Sequence, residues 1–158
     1  MNFLSSKPLT LGVTLPKIEA LNQDGKPIVF DEVFSKGTTL VYFYPKADTP
    51  GCTAEACSLR DGWEILRDMA GQKIQILGVS KDKPEAQKKF QQKYNLPFDL
   101  IADVDGKVAK AFGVPMIPIV GVSQRQSFLI QEGKVIWSSL KAKTKEAAEE
   151  VQQALLAR

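Results

Sequence analysis

Two cysteines stand five residues apart in one short stretch of the chain, YFYPKADTPGCTAEACSLRD (residues 42–61). They are Cys52 and Cys57, and the chain holds no other cysteine. A run of strand-forming residues precedes them. Thr49 and Pro50 then begin a helical pattern, because threonine is a favourable N-cap and proline is tolerated at the first helical position. This assignment places Cys52 in the first turn of a helix.

The start of a helix favours a negatively charged side chain. Its first N–H groups have no partner within the helix, and the helix dipole is positive there. A thiol at this place is expected to ionise to a thiolate, the nucleophilic form of cysteine. Making the thiolate dominant at neutral pH needs about 3.4 kcal/mol of preference for the anion. The helix end supplies about 0.3–1 kcal/mol, and up to about 2 kcal/mol when partly buried, and a hydrogen bond from Thr49 adds about 1.5 kcal/mol. A nearby arginine would complete the preference. The alternative is that Cys52 is only a small buried apolar side chain.

The spacing of the two cysteines argues against a permanent bond between them. Five helical residues correspond to about 140° of rotation and about 7.5 Å of rise, whereas a disulfide joins Cα atoms roughly 4.4–6.8 Å apart. A structural disulfide is therefore disfavoured, and so is a zinc site, because two thiols leave the metal half coordinated. A redox pair that reacts after the helix start unwinds stays open. The inward face of this helix is predicted to carry Cys52, Ala56, Leu59, Trp63 and Leu66.

The composition excludes several other kinds of site. The chain has 158 residues and no histidine, so a Cys-His or Ser-His catalytic pair is impossible and the commonest metal ligand is missing. Its length predicts one domain, residues 1–158. No run approaches the roughly 18 apolar residues of a membrane span, and the scattered lysines lack the interleaved aromatic residues of a nucleic-acid surface. We therefore expect a cytoplasmic protein that binds neither membrane nor nucleic acid and holds no metal or cofactor.

A βαβ unit surrounds the cysteines. A near-continuous β-rich run predicts a strand buried on both faces at residues 38–44, the helix follows at 52–69, and a second buried strand follows at 73–80. This order implies parallel pairing of the two strands.

The remaining segments complete an α/β pattern. Turn signals at Asp24-Gly25 and Glu132-Gly133 predict two β-hairpins. Helices are predicted at residues 83–94, at 106–113 with Gly113 as its stop, and at 144–157, with a short strand at 98–103. The Asp103–Gly106 sequence, DVDG, is a turn before a helix rather than a calcium loop, because the glycine comes too early. The whole predicts a thioredoxin-like fold, in which helices flank a central mixed β-sheet, with an N-terminal β-hairpin.

The cysteine segment resembles a known family. YPKADTPGCTAEAC is similar to the active-site segment of the peroxiredoxins, whose signature is Pro-x-x-x-Thr/Ser-x-x-Cys. The second cysteine five residues later resembles the subgroup called bacterioferritin comigratory protein or peroxiredoxin Q. The stretches ILGVSKD, FDLIADVDGKVAKAFGV and RQSFLI, followed by EGKV, occur in the family's order. The resemblance thus covers most of the chain.

The resemblance implies a role for each of five residues. Cys52 would be the peroxidatic cysteine and Cys57 the resolving one. Thr49 would bond the thiolate and the peroxide, Pro45 would shield the site, and Arg125 would be the cation beside the sulfur. The alternatives are a plain N-cap for Thr49, a strand terminator for Pro45 and an ordinary surface ion pair for Arg125.

The resemblance also implies the reaction. The substrate would be a hydroperoxide, the product of the first step a sulfenic acid on Cys52, and the reductant of the resulting disulfide thioredoxin or glutaredoxin. An internal resolving cysteine needs no partner subunit, so a monomer is expected, with at most a weak homodimer. The Pro- and Gly-rich segment at residues 113–124 would form a loop beside the site. Two rival functions stay open: a thiol–disulfide oxidoreductase, and a redox-inert binding module of the same fold.

Overall fold

Seven strands and five helices alternate along the part of the chain that the structure, a computed structural model, describes: residues 11–69 and 74–157. In chain order they are β1 (Glu19–Leu21), β2 (Pro27–Val29), α1 (Phe30–Phe34), β3 (Thr39–Phe43), α2 (Pro50–Met69), β4 (Gln75–Ser80), α3 (Pro84–Tyr94), β5 (Asp99–Ala102), α4 (Lys107–Ala111), β6 (Gln126–Gln131), β7 (Lys134–Ser139) and α5 (Ala147–Leu156).

Five of the strands form one mixed sheet in the order β5-β4-β3-β6-β7. The pairs β3–β4 and β4–β5 are parallel, as the βαβ pattern predicts, while β3–β6 and β6–β7 are antiparallel. The strands β1 and β2 pair separately as the predicted N-terminal hairpin. The expected α/β fold, with a central mixed sheet flanked by helices, is confirmed.

The central strand β3 divides the core into two layers. Successive side chains of a strand point to opposite faces of the sheet, so Leu40 and Tyr42 pack under α2, α3 and α5, whereas Val41 and Phe43 pack on the side of α1 and α4. Every residue of β3 is buried. This two-sided burial is the physical reason for the continuous β-rich run in the sequence.

The predicted turns form where local chemistry demands them. Glu132 and Gly133 have φ values of 54° and 75°, the consecutive left-handed pair of a tight hairpin turn between antiparallel strands. The Asp103 carboxylate accepts hydrogen bonds from the backbone N–H groups of Val108 and Ala109, both at 2.9 Å. It therefore caps α4, which confirms a turn before a helix.

Several element boundaries differ from the prediction by one to three residues; the helix predicted at 106–113, for example, is α4 and ends at Ala111. The last helix was expected from residue 144 but begins at Ala147. One of its early N–H groups, that of Ala148, donates to the Ser58 hydroxyl of α2 at 3.0 Å, so a tertiary contact and not the local pattern sets its start. The strand predicted at 73–80 begins at Gln75 as β4, and residue 73 lies outside the described residues.

The helices α2 and α5 approach closely at a glycine. A Cβ atom added to Gly62 would lie 2.6 Å from the Cβ of Ala148, closer than carbon atoms pack. The Ser58–Ala148 hydrogen bond lies one helical turn away on α2. The middle of α2 is therefore fixed to α5.

We expect Gly62→Ala to destabilise the protein by about 1–2 kcal/mol, because the overpacking cost exceeds the roughly 1 kcal/mol that alanine gains over glycine in a helix. Urea denaturation measures the change. Adding Ala148→Gly removes the opposing methyl group and should recover much of the loss. A single variant more stable than the parent would contradict the close approach.

Candidate functional site

The Cys52 thiol is buried at the start of α2. Its side chain packs beside Tyr42 and Tyr44 in the core layer under the helices, with 1% of its surface exposed. The Thr49 carbonyl accepts the N–H of Thr53 at 2.8 Å, so the helix begins where the sequence predicts. Cys52 thus lies in the first turn, close to the carboxyl end of β3.

Arg125 directly precedes β6, the antiparallel neighbour of β3, and its side chain reaches the Cys52 sulfur. Its Nη2 lies 3.5 Å from Cys52 Sγ. The antiparallel register pairs Phe43 with Gln126, so the residue before β6 stands beside the end of β3. The Cβ of a side chain at Gly51 would lie only 3.0 Å from Arg125 Nη2, and the glycine therefore leaves room for the guanidinium. A cation therefore contacts the Cys52 sulfur.

A third charged residue completes this cluster, and the sequence analysis missed it. Glu55 is buried, with 1% of its side chain exposed, and its Oε1 accepts a hydrogen bond from Arg125 Nη1 at 2.8 Å. Among the described residues its Oε2 has no hydrogen-bond partner. Burial raises the pKa of Glu55 to about 8, against the opposing effect of the Arg125 guanidinium.

A sequence signal for Glu55 exists. It stands directly before Ala56 and one helical turn after Cys52, on the inward face of α2. An acidic residue on a predicted apolar stripe must find a partner or be neutral, because an unpaired buried charge is costly. Trp63, which was placed on that stripe, is only half-buried.

Thr49 is half-buried, and its hydroxyl donates a hydrogen bond to the Lys46 carbonyl oxygen at 2.7 Å. A hydroxyl carries one proton and two acceptor lone pairs, so in this arrangement the proton is not available to Cys52. The Thr49 oxygen can still accept a hydrogen bond from the O–H group of a peroxide.

Pro45 lies at the carboxyl end of β3, next to the loop predicted at residues 113–124. It is half-buried and directly follows Tyr44, whose carbonyl accepts a hydrogen bond from the Ser123 hydroxyl at 3.1 Å. Ser123 belongs to the segment at residues 113–124, which ends next to Arg125. The loop is thus anchored beside the cysteine segment.

Cys57 lies in the second turn of α2 and is half-buried; both cysteines are free thiols. The helix is continuous from Pro50 to Met69, and it keeps the two thiols apart as the spacing predicts. A disulfide between them requires the start of α2 to unwind.

The residue two positions before α2 and a residue in its third turn are bonded to α3 at the surface. Asp48, at a φ of 58°, accepts hydrogen bonds from Lys93 Nζ and the Tyr94 hydroxyl, both at 2.9 Å. Arg60 Nη1 donates to the Tyr94 carbonyl oxygen at 2.7 Å. Exposed ion pairs contribute only about 0–1 kcal/mol. Unwinding the start of α2 breaks the surface bonds of Asp48 and also the buried contacts of Cys52 and Glu55 with Arg125.

The described part of the chain lacks two other kinds of feature. It contains no group of three or more His, Cys, Asp or Glu side chains arranged to hold a metal ion. None of its helices is both long and apolar enough to cross a membrane.

Comparison with known proteins identifies the family of this chain. The AhpC/TSA family model matches residues 11–138. The chain is 39% identical to the putative peroxiredoxin Bcp of Coxiella burnetii over 84% of this chain and 91% of that protein. It is 34% identical to the chloroplastic peroxiredoxin Q of Sedum lineare over 81% of this chain and 67% of that protein.

A solved structure shares the fold. The bacterioferritin comigratory protein of Xanthomonas campestris, whose structures were determined to explain its alkyl peroxide reduction activity, superposes with a TM-score of 0.80. It is 28% identical, and the match covers 94% of this chain and 98% of that one. This confirms the thioredoxin-like fold. The chain therefore belongs to the AhpC/TSA family, among the peroxiredoxins of the bacterioferritin comigratory protein and peroxiredoxin Q type.

Proposed function

We propose that this thiol-dependent peroxidase uses Cys52 as its peroxidatic cysteine and Cys57 as its resolving cysteine. The observation that carries the proposal is the 3.5 Å approach of Arg125 Nη2 to Cys52 Sγ at the start of a helix. A guanidinium and the positive end of a helix both favour the thiolate. An ionised nucleophile needs no histidine as a base, which fits a chain that has none.

In the first step the Cys52 sulfur attacks the terminal oxygen of the hydroperoxide. The S–O bond forms, the O–O bond breaks, and its electron pair leaves on the other oxygen, which then takes a proton. Arg125 stabilises the developing negative charge with its remaining donor capacity, as oxyanion holes do. Thr49 accepts the peroxide O–H hydrogen bond, and Pro45 limits the access of water. Cys52 becomes a sulfenic acid, the reversible first product of thiol oxidation.

In the second step the start of α2 unwinds and the Cys57 sulfur attacks the Cys52 sulfur. Water leaves and an intramolecular disulfide forms. A thioredoxin-type dithiol protein then reduces the bridge by exchange. This unwinding breaks the surface bonds of Asp48 and separates Cys52 and Glu55 from Arg125.

The proposal also covers the substrates and the reductant of these steps. Hydrogen peroxide and organic hydroperoxides are the proposed substrates, in line with the alkyl peroxide reduction activity of the Xanthomonas campestris protein. Thioredoxin is the proposed reductant and glutaredoxin the alternative. One domain spanning residues 1–158, a monomer and a cytoplasmic location remain predictions from the sequence.

Both rival functions lack a supporting observation. A thiol–disulfide oxidoreductase normally uses a Cys-x-x-Cys pair, whereas four residues separate these cysteines. A redox-inert binding module has no need of a half-buried arginine that contacts a buried thiol. Neither rival explains the cluster of Cys52, Glu55 and Arg125.

Cys52→Ser is expected to abolish peroxide-dependent oxidation of thioredoxin, because serine does not form a comparable nucleophile. Cys57→Ser should consume about one peroxide per chain and then stall, because no bridge forms for thioredoxin to reduce. Peroxide consumption and the intact mass of the protein measure both effects. Turnover at the parent rate in both variants would show that the two roles are wrongly assigned.

Arg125→Ala is expected to slow the reaction of the reduced protein with peroxide by about 10²-fold or more, since the loss of one transition-state donor commonly has that effect. Stopped-flow peroxide consumption gives the rate constant. Arg67→Ala is the matched control, because Arg67 stacks on Trp63 within α2 and should leave the rate unchanged. Equal rates for Arg125→Ala and the parent protein would remove Arg125 from the mechanism.

A further inference from the structure

Glu55 is a buried acid that the proposed reaction leaves without a role. One guanidinium contacts two acids: Arg125 Nη1 bonds Glu55 Oε1 at 2.8 Å and Arg125 Nη2 contacts Cys52 Sγ at 3.5 Å. Ionising both acids would leave a net negative charge in a buried cluster. Two anions that share a low-dielectric site disfavour each other's ionisation.

The other groups around Glu55 do not supply the missing positive charge. The negative charge of Glu150 in α5 further raises the pKa of Glu55. The buried Tyr42 hydroxyl of β3 is neutral, because burial raises its pKa. In the described part of the chain, Arg125 is the one cation in an ion pair with Glu55. The Glu55 Oε2 atom, buried without a hydrogen-bond partner there, is in a poor position to carry charge.

We propose that Glu55 carries a proton while Cys52 is a thiolate, and that it releases this proton when the disulfide forms. The single charge of Arg125 is then available to the sulfur in the reduced protein. Glu55 does not contact the substrate in this proposal. It acts through Arg125 and is a positioning and charge-compensating residue. The inference rests on the proposed roles of Cys52 and Cys57.

The position of Glu55 in the sequence explains why disulfide formation releases its proton. It stands between the two cysteines, so the unwinding that lets Cys57 reach Cys52 also moves Glu55 out of the core. Burial is the main cause of its raised pKa, and in water the carboxyl group returns to the range of an ordinary glutamate, about 4.3. Near neutral pH the exposed group therefore loses its proton.

The protons and electrons of the overall reaction balance on this basis. The reduced protein holds a Cys52 thiolate, a Cys57 thiol and a Glu55 carboxylic acid, and it meets one hydroperoxide. The products are the Cys52–Cys57 disulfide, a Glu55 carboxylate, one alcohol and one water. The peroxide accepts the two electrons that the two sulfurs lose, and no proton is taken from the solvent. Without an acid at position 55, the same reaction draws one proton from the solvent.

The test counts protons. The reduced protein, freed of reductant, is mixed with a limiting amount of hydrogen peroxide at pH 7 in weakly buffered solution with a pH indicator dye. Proton uptake is divided by the disulfide formed. Glu55→Gln should take up about one proton more per disulfide than the parent protein. Glu64→Gln, an exposed position of the same helix, is the matched control and should equal the parent.

The outcomes separate this inference from the proposed function. Disulfide formation with equal proton counts in the parent protein and Glu55→Gln overturns the inference alone. Failure of the parent protein to form the disulfide overturns the proposed roles of the cysteines and the inference with them. A second measurement needs no substitution at Glu55: the infrared difference spectrum of the parent protein should lose one protonated-carboxyl band on oxidation. Absence of that loss also overturns the inference.

The stability of the reduced protein gives a separate pH readout. Between the unfolded pKa of Glu55, about 4.5, and its folded pKa of about 8, the folded protein holds a proton that the unfolded chain has lost. Stability from this group therefore falls as pH rises through that range and is constant above it. The melting temperature of the parent protein, relative to Glu55→Gln, should fall by roughly 10 °C from pH 5 to pH 8. A difference that does not vary with pH would contradict a protonated Glu55.

Discussion

One arginine held between two buried acids is the interaction on which the site depends. Arg125 contacts Cys52 Sγ with one Nη atom and Glu55 with the other, and a planar guanidinium suits such two-sided contact better than a lysine ammonium would. The sheet places it there, because the antiparallel β3–β6 register brings the residue before β6 to the end of β3. Gly51 leaves the space that the guanidinium occupies.

The helix that carries both cysteines serves two opposed requirements. In the proposed mechanism its start must be ordered to hold Cys52 near Arg125, and it must also unwind for Cys57 to react. The middle of α2 packs against α5 at Gly62 and Ser58. At the start, Asp48 is bonded to α3 at the surface, whereas Cys52 and Glu55 are buried against Arg125. Opening the start therefore breaks the Arg125 contacts as well as weak surface bonds.

Charge links these two requirements. The buried Glu55 contacts Arg125 and makes the folded start of α2 sensitive to its protonation state, since burial penalises the carboxylate. The same residue lies within the segment that opens. In the proposed mechanism the chemistry at Cys52 and the conformation of α2 are coupled through the proton of Glu55.

Local patterns in the sequence determined most of the elements, the two hairpins, the helix start at Pro50 and the positions of both thiols, because turn dihedral angles and helix ends depend on neighbouring residues. Tertiary structure decided the rest. The start of α5 follows from its contact with Ser58, and the Thr49 hydroxyl turns to Lys46. The partnership of Arg125 with Glu55 joins residues 70 positions apart. No local sequence pattern predicts such a contact, because only the pairing of β3 with β6 brings the two side chains together.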